Sequence, residues 1–322
     1  MGQVAEIKIQ ELDTQEFIKV KSEEISKLVG SGLAINALSG GVDSSAVTML
    51  GHRALGNRLK TYFIDNGIMR QDEPEQIVSI FKRLGVKVEI IDAQDNFFAA
   101  LKGITDPEEK REAITQTFYK DVFAKLVQKS KARYLLQGTI LTDIDETVAG
   151  IKRQHNVFEQ LGIDPQKIFG YKIIEPLVQL RKDGVRKLAQ GLGLPESIFK
   201  RMPFPGPALA ARVIGEVTPE KIEIVRTATS ILEEELKNSG AFQYMAILHQ
   251  DKVTGMRNSK RDFGMQIEIR CWDSIDARNA LPTNLSFDKL SILSNRMVTE
   301  VPGVVSVTYN ITSKPPSTME AI

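Results

Sequence analysis

In the first half of the chain, apolar positions switch between two periods. Phe17, Val20, Ile25 and Leu28 recur at helical spacing and stop before Gly30 and Gly32, so a helix is expected over 17–28. The run Leu33–Leu38 is short and almost wholly apolar, which predicts a strand buried on both faces. A glycine loop follows, and then Ala46, Val47, Leu50 and Ala54 restore the helical period up to Gly56. The same reading predicts strands at Lys60–Asp65, Val86–Ile91 and Arg133–Gly138. Helices are expected at Pro74–Leu84, from Pro107 to near Lys129, and at Asp183–Gly191. Strands separated by helices of this length imply a parallel sheet covered on both faces, with ligands at the carboxyl ends of its strands. The stretch Leu141–Tyr171 is polar and weakly periodic, and so reads as a long functional loop or a disordered one.

The pattern changes at Met202–Pro207, where prolines crowd the sequence MPFPGP and stop any helix. A domain boundary near residue 200 follows, giving domains at 1–200 and 201–322. Beyond it the expected order is helix Pro219–Leu236, strands Gln243–Leu248 and Met265–Cys271, helix Phe287–Val298 and strand Gly303–Ile311. That order predicts a smaller two-layer α+β domain after an α/β one.

Charge adds little to this picture: 42 Lys+Arg against 41 Asp+Glu leaves +1, with no global attraction to nucleic acid or a membrane surface. The lone Cys271 excludes an internal disulfide and a cysteine zinc site, and three scattered histidines argue against a histidine metal centre. No apolar run approaches the ~20 residues that cross a bilayer. The first residues lack the basic-then-apolar profile of a signal peptide, so a cytoplasmic protein is expected.

The strongest chemical signal is the loop Ser39-Gly40-Gly41-Val42-Asp43-Ser44-Ser45 between the first strand and the second helix. Adjacent glycines let backbone approach a ligand closely, and amides at a helix start favour an anion. Three serine hydroxyls suit phosphate oxygens, while Asp43 suits an anion nest only if a divalent cation joins it to the phosphates. The competing reading is an ordinary turn with Asp43 or Ser44 capping the helix. The pattern is neither the lysine-bearing nucleotide loop nor the dinucleotide fingerprint.

This heptad resembles the PP-loop of ATP pyrophosphatases, which cleave ATP between its α and β phosphates. Further stretches resemble one branch, the GMP synthetases: Tyr62–Gly67, Pro107–Arg111, Gln137–Ile140, Lys152 with His155-Asn156-Val157, Glu175–Arg186, Pro203–Pro207, and Lys314-Pro315-Pro316 with Thr318 and Glu320. The chain departs from that pattern at Gln154, at Gly184 and at its end, Ala321-Ile322. The resemblance is to the ATP-pyrophosphatase subunit of the two-subunit archaeal form. It implies adenylation of XMP by Mg²⁺-ATP, then displacement of AMP by ammonia from a separate glutamine amidotransferase subunit. It also implies a homodimer. ATP would contact Ser39, Gly40, Gly41, Val42, Asp43, Ser44, Ser45, Phe63 and Gly138, with Asp43 on Mg²⁺. Asp43, Ser44 and Lys152 would serve the chemistry, and Arg111, Gln243, Lys314, Met319 and Glu320 would hold XMP. The alternatives are another amidating ligase of the NAD synthetase kind, a tRNA modifier, and a non-catalytic nucleotide-binding regulator.

Overall fold

The computed structural model describes residues 4–148, 170–257, 259–275 and 277–321. The chain packs as two units that are not contiguous in sequence. One comprises Met1–Asp65, Pro74–Asp92 and Phe118–Arg201; the other comprises Asn66–Glu73, Ala93–Thr117 and Met202–Ile322. A cut near residue 200 falls where the last segments part, but residues 66–73 and 93–117 of the first half pack with the second unit.

The first unit is built on a five-stranded parallel sheet in the order β3-β2-β1-β4-β5. Its strands are β1 (Ala34–Ala37), β2 (Leu59–Asp65), β3 (Val88–Asp92), β4 (Tyr134–Leu136) and β5 (Lys172–Ile174). Helix α1 (Thr14–Val29) starts where Asp13 accepts the amides of Gln15 and Glu16, and it packs on α2 (Val42–Leu55). Burying β1 and β2 on both faces requires the near-continuous apolar runs seen in sequence. Helix α3 (Glu73–Arg83) precedes β3. β5 was not expected: three residues are too few for any period to register.

Helix α4 (Gln94–Leu101), also unexpected, buries Phe97 and Leu101. The single α-helix predicted from Pro107 to near Lys129 is instead three pieces. Helix α5 (Pro107–Gln116) is capped by Asp106, Thr117–Phe123 forms a wider π-type turn, and α6 (Ala124–Ser130) continues. Apolar spacing alone does not reveal that insertion. The polar stretch 141–171 opens with helix α7 (Leu141–Val148), and residues 149–169, including Lys152 and His155, lie outside the described ones. Helix α8 (Lys182–Gly191) packs on α1 and α2, and the one-turn α9 (Glu196–Phe199) follows.

In the second unit, β6 (Gln243–Arg257) and β7 (Lys260–Asp273) form a long antiparallel hairpin. β8 (Leu281–Pro282) pairs antiparallel with the end of β7, and β9 (Val304–Tyr309) runs parallel beside its middle, Met265–Ile269. Helices α10 (Pro219–Glu235) and α11 (Phe287–Glu300) pack on β6, on β9 and on each other, giving the two-layer α+β arrangement expected. Thr218 and Ser286 cap them, each accepting an amide three residues on. Lys110 of α5 is buried and donates to the Val213 carbonyl at 2.8 Å. Burial and the neighbouring Lys221 outweigh Asp106 and push its pKa down to about 8.

Two packing predictions follow. A Cβ on Gly264 would stand 2.4 Å from Val305 Cγ1 and 2.7 Å from the Gly303 carbonyl oxygen, so β9 lies against bare backbone. Gly264→Ala is expected to lower stability by about 1–3 kcal/mol, and adding Val305→Ala to recover part of it. Strictly additive denaturation energies would show that close approach is not the cause. For Lys110, the depressed native pKa means that the penalty of burying its charge is complete below pH 8. It lifts as pH climbs from about 8 toward the ordinary 10.5. The stability of wild type relative to Lys110→Met should therefore increase across that interval in paired urea titrations; a flat difference contradicts the assignment.

Candidate functional site

The glycine loop joins the carboxyl end of β1 to the start of α2, and each of its residues has a local reason to be there. Gly40 has φ +76, and a Cβ would meet the Arg201 and Ile77 side chains at 3.0 Å. The Arg201 guanidinium donates to the Gly40 carbonyl at 3.0 Å, pinning the turn from outside. Ser44 is the hub inside it. Its hydroxyl accepts from the Ser39 amide at 3.2 Å, donates to the Gly41 carbonyl at 3.1 Å, and lies 2.9 Å from Ser39 Oγ. Gly41, the residue before the helix, offers no side-chain cap. The first-turn amides of α2 therefore lack intrahelical partners and face an open site with partial positive charge.

Behind the loop lies a buried polar chain. Thr61 Oγ1 of β2 donates to Asn36 Oδ1 at 2.8 Å, and Asn36 Nδ2 donates to Thr48 Oγ1 at 2.6 Å. Thr48 Oγ1 in turn donates to the Ser44 carbonyl at 2.8 Å. All three side chains are buried. In that setting each hydrogen bond is hard to replace, because water cannot reach the groups if it breaks. The chain ties two strands to the helix turn that carries Ser44.

Asp43 shows two different oxygens. Oδ2 forms an ion pair with Lys182 Nζ at 2.6 Å, whereas Oδ1 is buried without a hydrogen-bond partner. Gly138 passes directly beneath: a Cβ there would lie 3.1 Å from the Asp43 carbonyl carbon and 3.2 Å from the Ser44 nitrogen. The adjoining cavity is about 300 Å³. Its lining combines Ser39, Gly41, Asp43 and Ser44 with apolar Ala37, Phe118, Phe123 and Leu136. Donors and a carboxylate beside a flat apolar wall suit a phosphate chain attached to a planar base. A larger hollow of about 410 Å³, lined by His52, Lys60, Lys87 and Glu89 among others, shares no residue with the loop.

Among the described residues, no cluster of three or more His, Cys, Asp and Glu could hold a metal unaided. Asp43, with one oxygen unsatisfied beside a phosphate-shaped concavity, fits Mg²⁺. That ion is commonly held by one or two carboxylates plus substrate phosphates.

The sequence-predicted residues divide. Ser39, Gly41, Asp43, Ser44 and Gly138 line the cavity, and Gly40 shapes its rim. Val42 is buried in the first turn of α2. Ser45 is buried too, its hydroxyl enclosed without a partner and outside the cavity lining. Phe63 is wholly buried in β2 and is not a lining residue. Lys182 and Arg201 were not anticipated. Nothing local connects Lys182 to Asp43, since 139 positions separate them.

In the second unit, Gln243 Nε2 donates to Glu320 Oε1 at 2.9 Å and to the Pro203 carbonyl at 3.2 Å. Met319 packs with Met245, Ile247, Trp272 and Ala280, and Lys314 Nζ donates to the Ala277 carbonyl at 2.7 Å at the margin of that cluster. Four of the predicted residues are thus brought together; Arg111 lies on α5, 3.7 Å from Glu108. Sequence reasoning passed over Arg212. It is 3% exposed, with Nε 3.6 Å from Glu320 Oε2 and without a hydrogen bond, and its guanidinium lies 5.0 Å from the Phe204 ring centre. Burial pushes its pKa down against the pull of Glu320. A buried cation whose Nε makes no hydrogen bond has one donor left for an anion beside Glu320.

Comparison with known proteins supplies a family for both halves. The NAD synthase family model matches residues 14–209, and the GMP synthase C terminal domain model matches residues 230–321. A subunit of the GMP synthase (glutamine-hydrolyzing) of Pyrococcus furiosus is 47% identical over 309 residues, covering 95% of this chain and 97% of that protein. The corresponding subunit from Archaeoglobus fulgidus is 47% identical over 309 residues, covering 96% and 99%. That from Methanocaldococcus jannaschii is 44% identical over 313 residues, covering 96% and 99%.

The buried chain behind the loop predicts a binding phenotype for a residue that touches no ligand. Thr48→Val keeps the volume and removes the hydroxyl, and calorimetric titration with Mg²⁺-pyrophosphate should show about tenfold weaker affinity. Thr48→Ser should restore most of it. Equal affinities for all three proteins would mean that the loop holds its shape without this support.

Proposed function

Because the chain belongs to the family of these GMP synthase (glutamine-hydrolyzing) subunits, we propose that its glycine loop and its C-terminal cluster carry the two nucleotides of ATP-dependent XMP amination. The reaction has two steps. The C2 oxygen of XMP attacks the α-phosphorus of ATP, the bond to the bridging α,β oxygen breaks, and pyrophosphate departs. Ammonia then adds to C2 and AMP leaves with the former C2 oxygen, giving GMP. Adenylation turns that oxygen into a competent leaving group, so the protein contributes position and charge rather than covalent bonding.

The first-turn amides of α2 and the Ser39 and Ser44 hydroxyls receive the β and γ phosphates, and the apolar cavity wall takes adenine. These donors act where charge accumulates as pyrophosphate leaves, and they need no reorganisation when it does. Mg²⁺, when bound, neutralises phosphate charge next to Asp43. Lys182, on Asp43 Oδ2 at 2.6 Å, would place a second positive charge beside the phosphates. In the second unit, Gln243, Glu320 and Met319 border the xanthine nucleotide, while Arg212 and Lys314 meet its phosphate. Arg111 and Lys152 retain the roles that resemblance gives them. Supporting all of this is one observation: a loop with unspent amides beside a half-satisfied carboxylate, in a chain whose second unit carries the GMP synthase C-terminal pattern.

The same proposal includes a separate glutaminase partner, a homodimer and a cytoplasmic location. Exposed Met256 and Phe263 on the β6–β7 hairpin are apolar surface of the kind a second copy covers. Cys271, buried as a free thiol, is consistent with a reducing compartment. No helix among the described residues is long and apolar enough to cross a membrane.

The test is direct. The purified chain with XMP, ATP, Mg²⁺ and ammonium should form GMP, AMP and pyrophosphate in equal amounts, and with glutamine in place of ammonium it should form none. Turnover of deamido-NAD but not XMP would transfer the assignment to the NAD synthetase reaction. Asp43→Ala should lower kcat by about 10²–10³. Lys182→Met should lower kcat/KM for ATP by about tenfold, close to 1.4 kcal/mol, with KM for XMP unchanged. An unaltered kcat/KM for ATP in Lys182→Met would remove that lysine from the phosphate site.

A further inference from the structure

The C-terminal residues Thr318–Glu320 belong to no helix and no strand, yet Met319 and Glu320 stand where the purine nucleotide is placed. A segment without a ladder needs another source of order, because holding each residue in one conformation costs backbone entropy. Arg270 of β7 supplies it. One guanidinium nitrogen, Nη1, reaches the carbonyl oxygens of Thr318 at 3.0 Å, Glu320 at 3.2 Å and Met319 at 3.5 Å. The Thr318 hydroxyl also donates to the Glu320 carbonyl at 2.7 Å, so the turn closes on itself above the arginine.

Arg270 is itself held. Its Nε donates to Glu268 Oε1 at 2.6 Å, and Asn310 Nδ2 donates to the same oxygen at 2.9 Å. His249 Nε2 lies 2.8 Å from Glu268 Oε2. The Arg270 and Glu268 side chains are 12% and 11% exposed, so this network is shielded from competing water. Burial would raise the Glu268 carboxyl, but its hydrogen bonds with Arg270, Asn310 and His249 together hold it below the usual carboxylate range. It remains a charged anchor at neutral pH.

We propose that Arg270, oriented by Glu268, is a positioning residue for the XMP site: it folds the C-terminal turn that presents Met319 and Glu320 to the purine nucleotide. The inference rests on the placement of Met319 and Glu320 at that nucleotide, and it adds the group that sets their geometry. Lysine cannot substitute, because a single ammonium on a flexible stem cannot hold Glu268 through one nitrogen and the turn through another.

Two readouts on the full chain separate the proposal from its premise. Hydrogen exchange of the amides at 317–321 reports the turn, and ammonia-dependent kinetics report KM for each nucleotide. Arg270→Lys should speed exchange at those amides and raise KM for XMP by about tenfold or more, leaving KM for ATP unchanged. Glu268→Gln, which keeps the arginine and weakens its anchor, should move both readouts in the same direction by a smaller factor. It also carries the test if Arg270→Lys does not fold. Exchange as slow as wild type in these variants overturns the clamp. Faster exchange with an unchanged KM for XMP also overturns the proposal, but through its premise, by removing the turn from the nucleotide. Equal rises in KM for ATP and XMP would reduce Arg270 to a general stabilising group.

Discussion

A helix that begins immediately after a buried strand has amides it cannot satisfy, and the rest of the first unit depends on how these are kept available. An ordinary N-cap side chain would consume one or two of them. Here the position before α2 is Gly41, and the nearby hydroxyl of Ser44 turns back to the Ser39 amide and the Gly41 carbonyl. The loop is thus closed by its own serines, while the helix start stays open to an external anion. Asn36, Thr48 and Thr61 hold that turn from the core, and Gly138 lets β4's end approach it without a side chain between.

The second unit solves the opposite problem. The residues proposed to hold XMP lie partly on an irregular C-terminal segment, so its rigidity has to come from side chains of neighbouring elements. Gln243, Arg212 and Arg270 all project toward Glu320 or its neighbours, and each is buried or nearly so. Low dielectric strengthens these contacts, and it makes the buried cation of Arg212 depend on the Glu320 carboxylate 3.6 Å away. The first unit keeps open amides and an orphan carboxylate oxygen that a metal-bound phosphate chain would complete, whereas the second already sets its buried guanidinium against Glu320.

What could be read from sequence was what depends on near neighbours. The alternation of apolar runs predicts β1, β2, β3 and β4, and the adjacent glycines announce the loop because only local backbone chemistry is involved. β5 has three residues and no period, and the π-type turn at Thr117–Phe123 leaves the apolar spacing of its helix undisturbed. Long-range pairs were invisible for a different reason. Lys182 with Asp43, and Arg270 with Thr318–Glu320, are distant in the chain, and a lysine or arginine by itself looks like solvated charge. Arg212 looked ordinary until the structure enclosed it. Phe63 buries its side chain in the core, so what its strand can offer a ligand is backbone, as the resemblance implies for the stretch around it.

The central claim is that open amides at the start of α2 hold the departing end of ATP. The most direct measurement is a crystal structure of the chain with Mg²⁺ and α,β-methylene-ATP, which cannot release pyrophosphate. The account predicts β- and γ-phosphate oxygens within ~3 Å of backbone nitrogens between Gly40 and Ser45, with Asp43 drawn away from Lys182. Phosphates bound elsewhere, with the loop amides turned onto protein carbonyls, would contradict it.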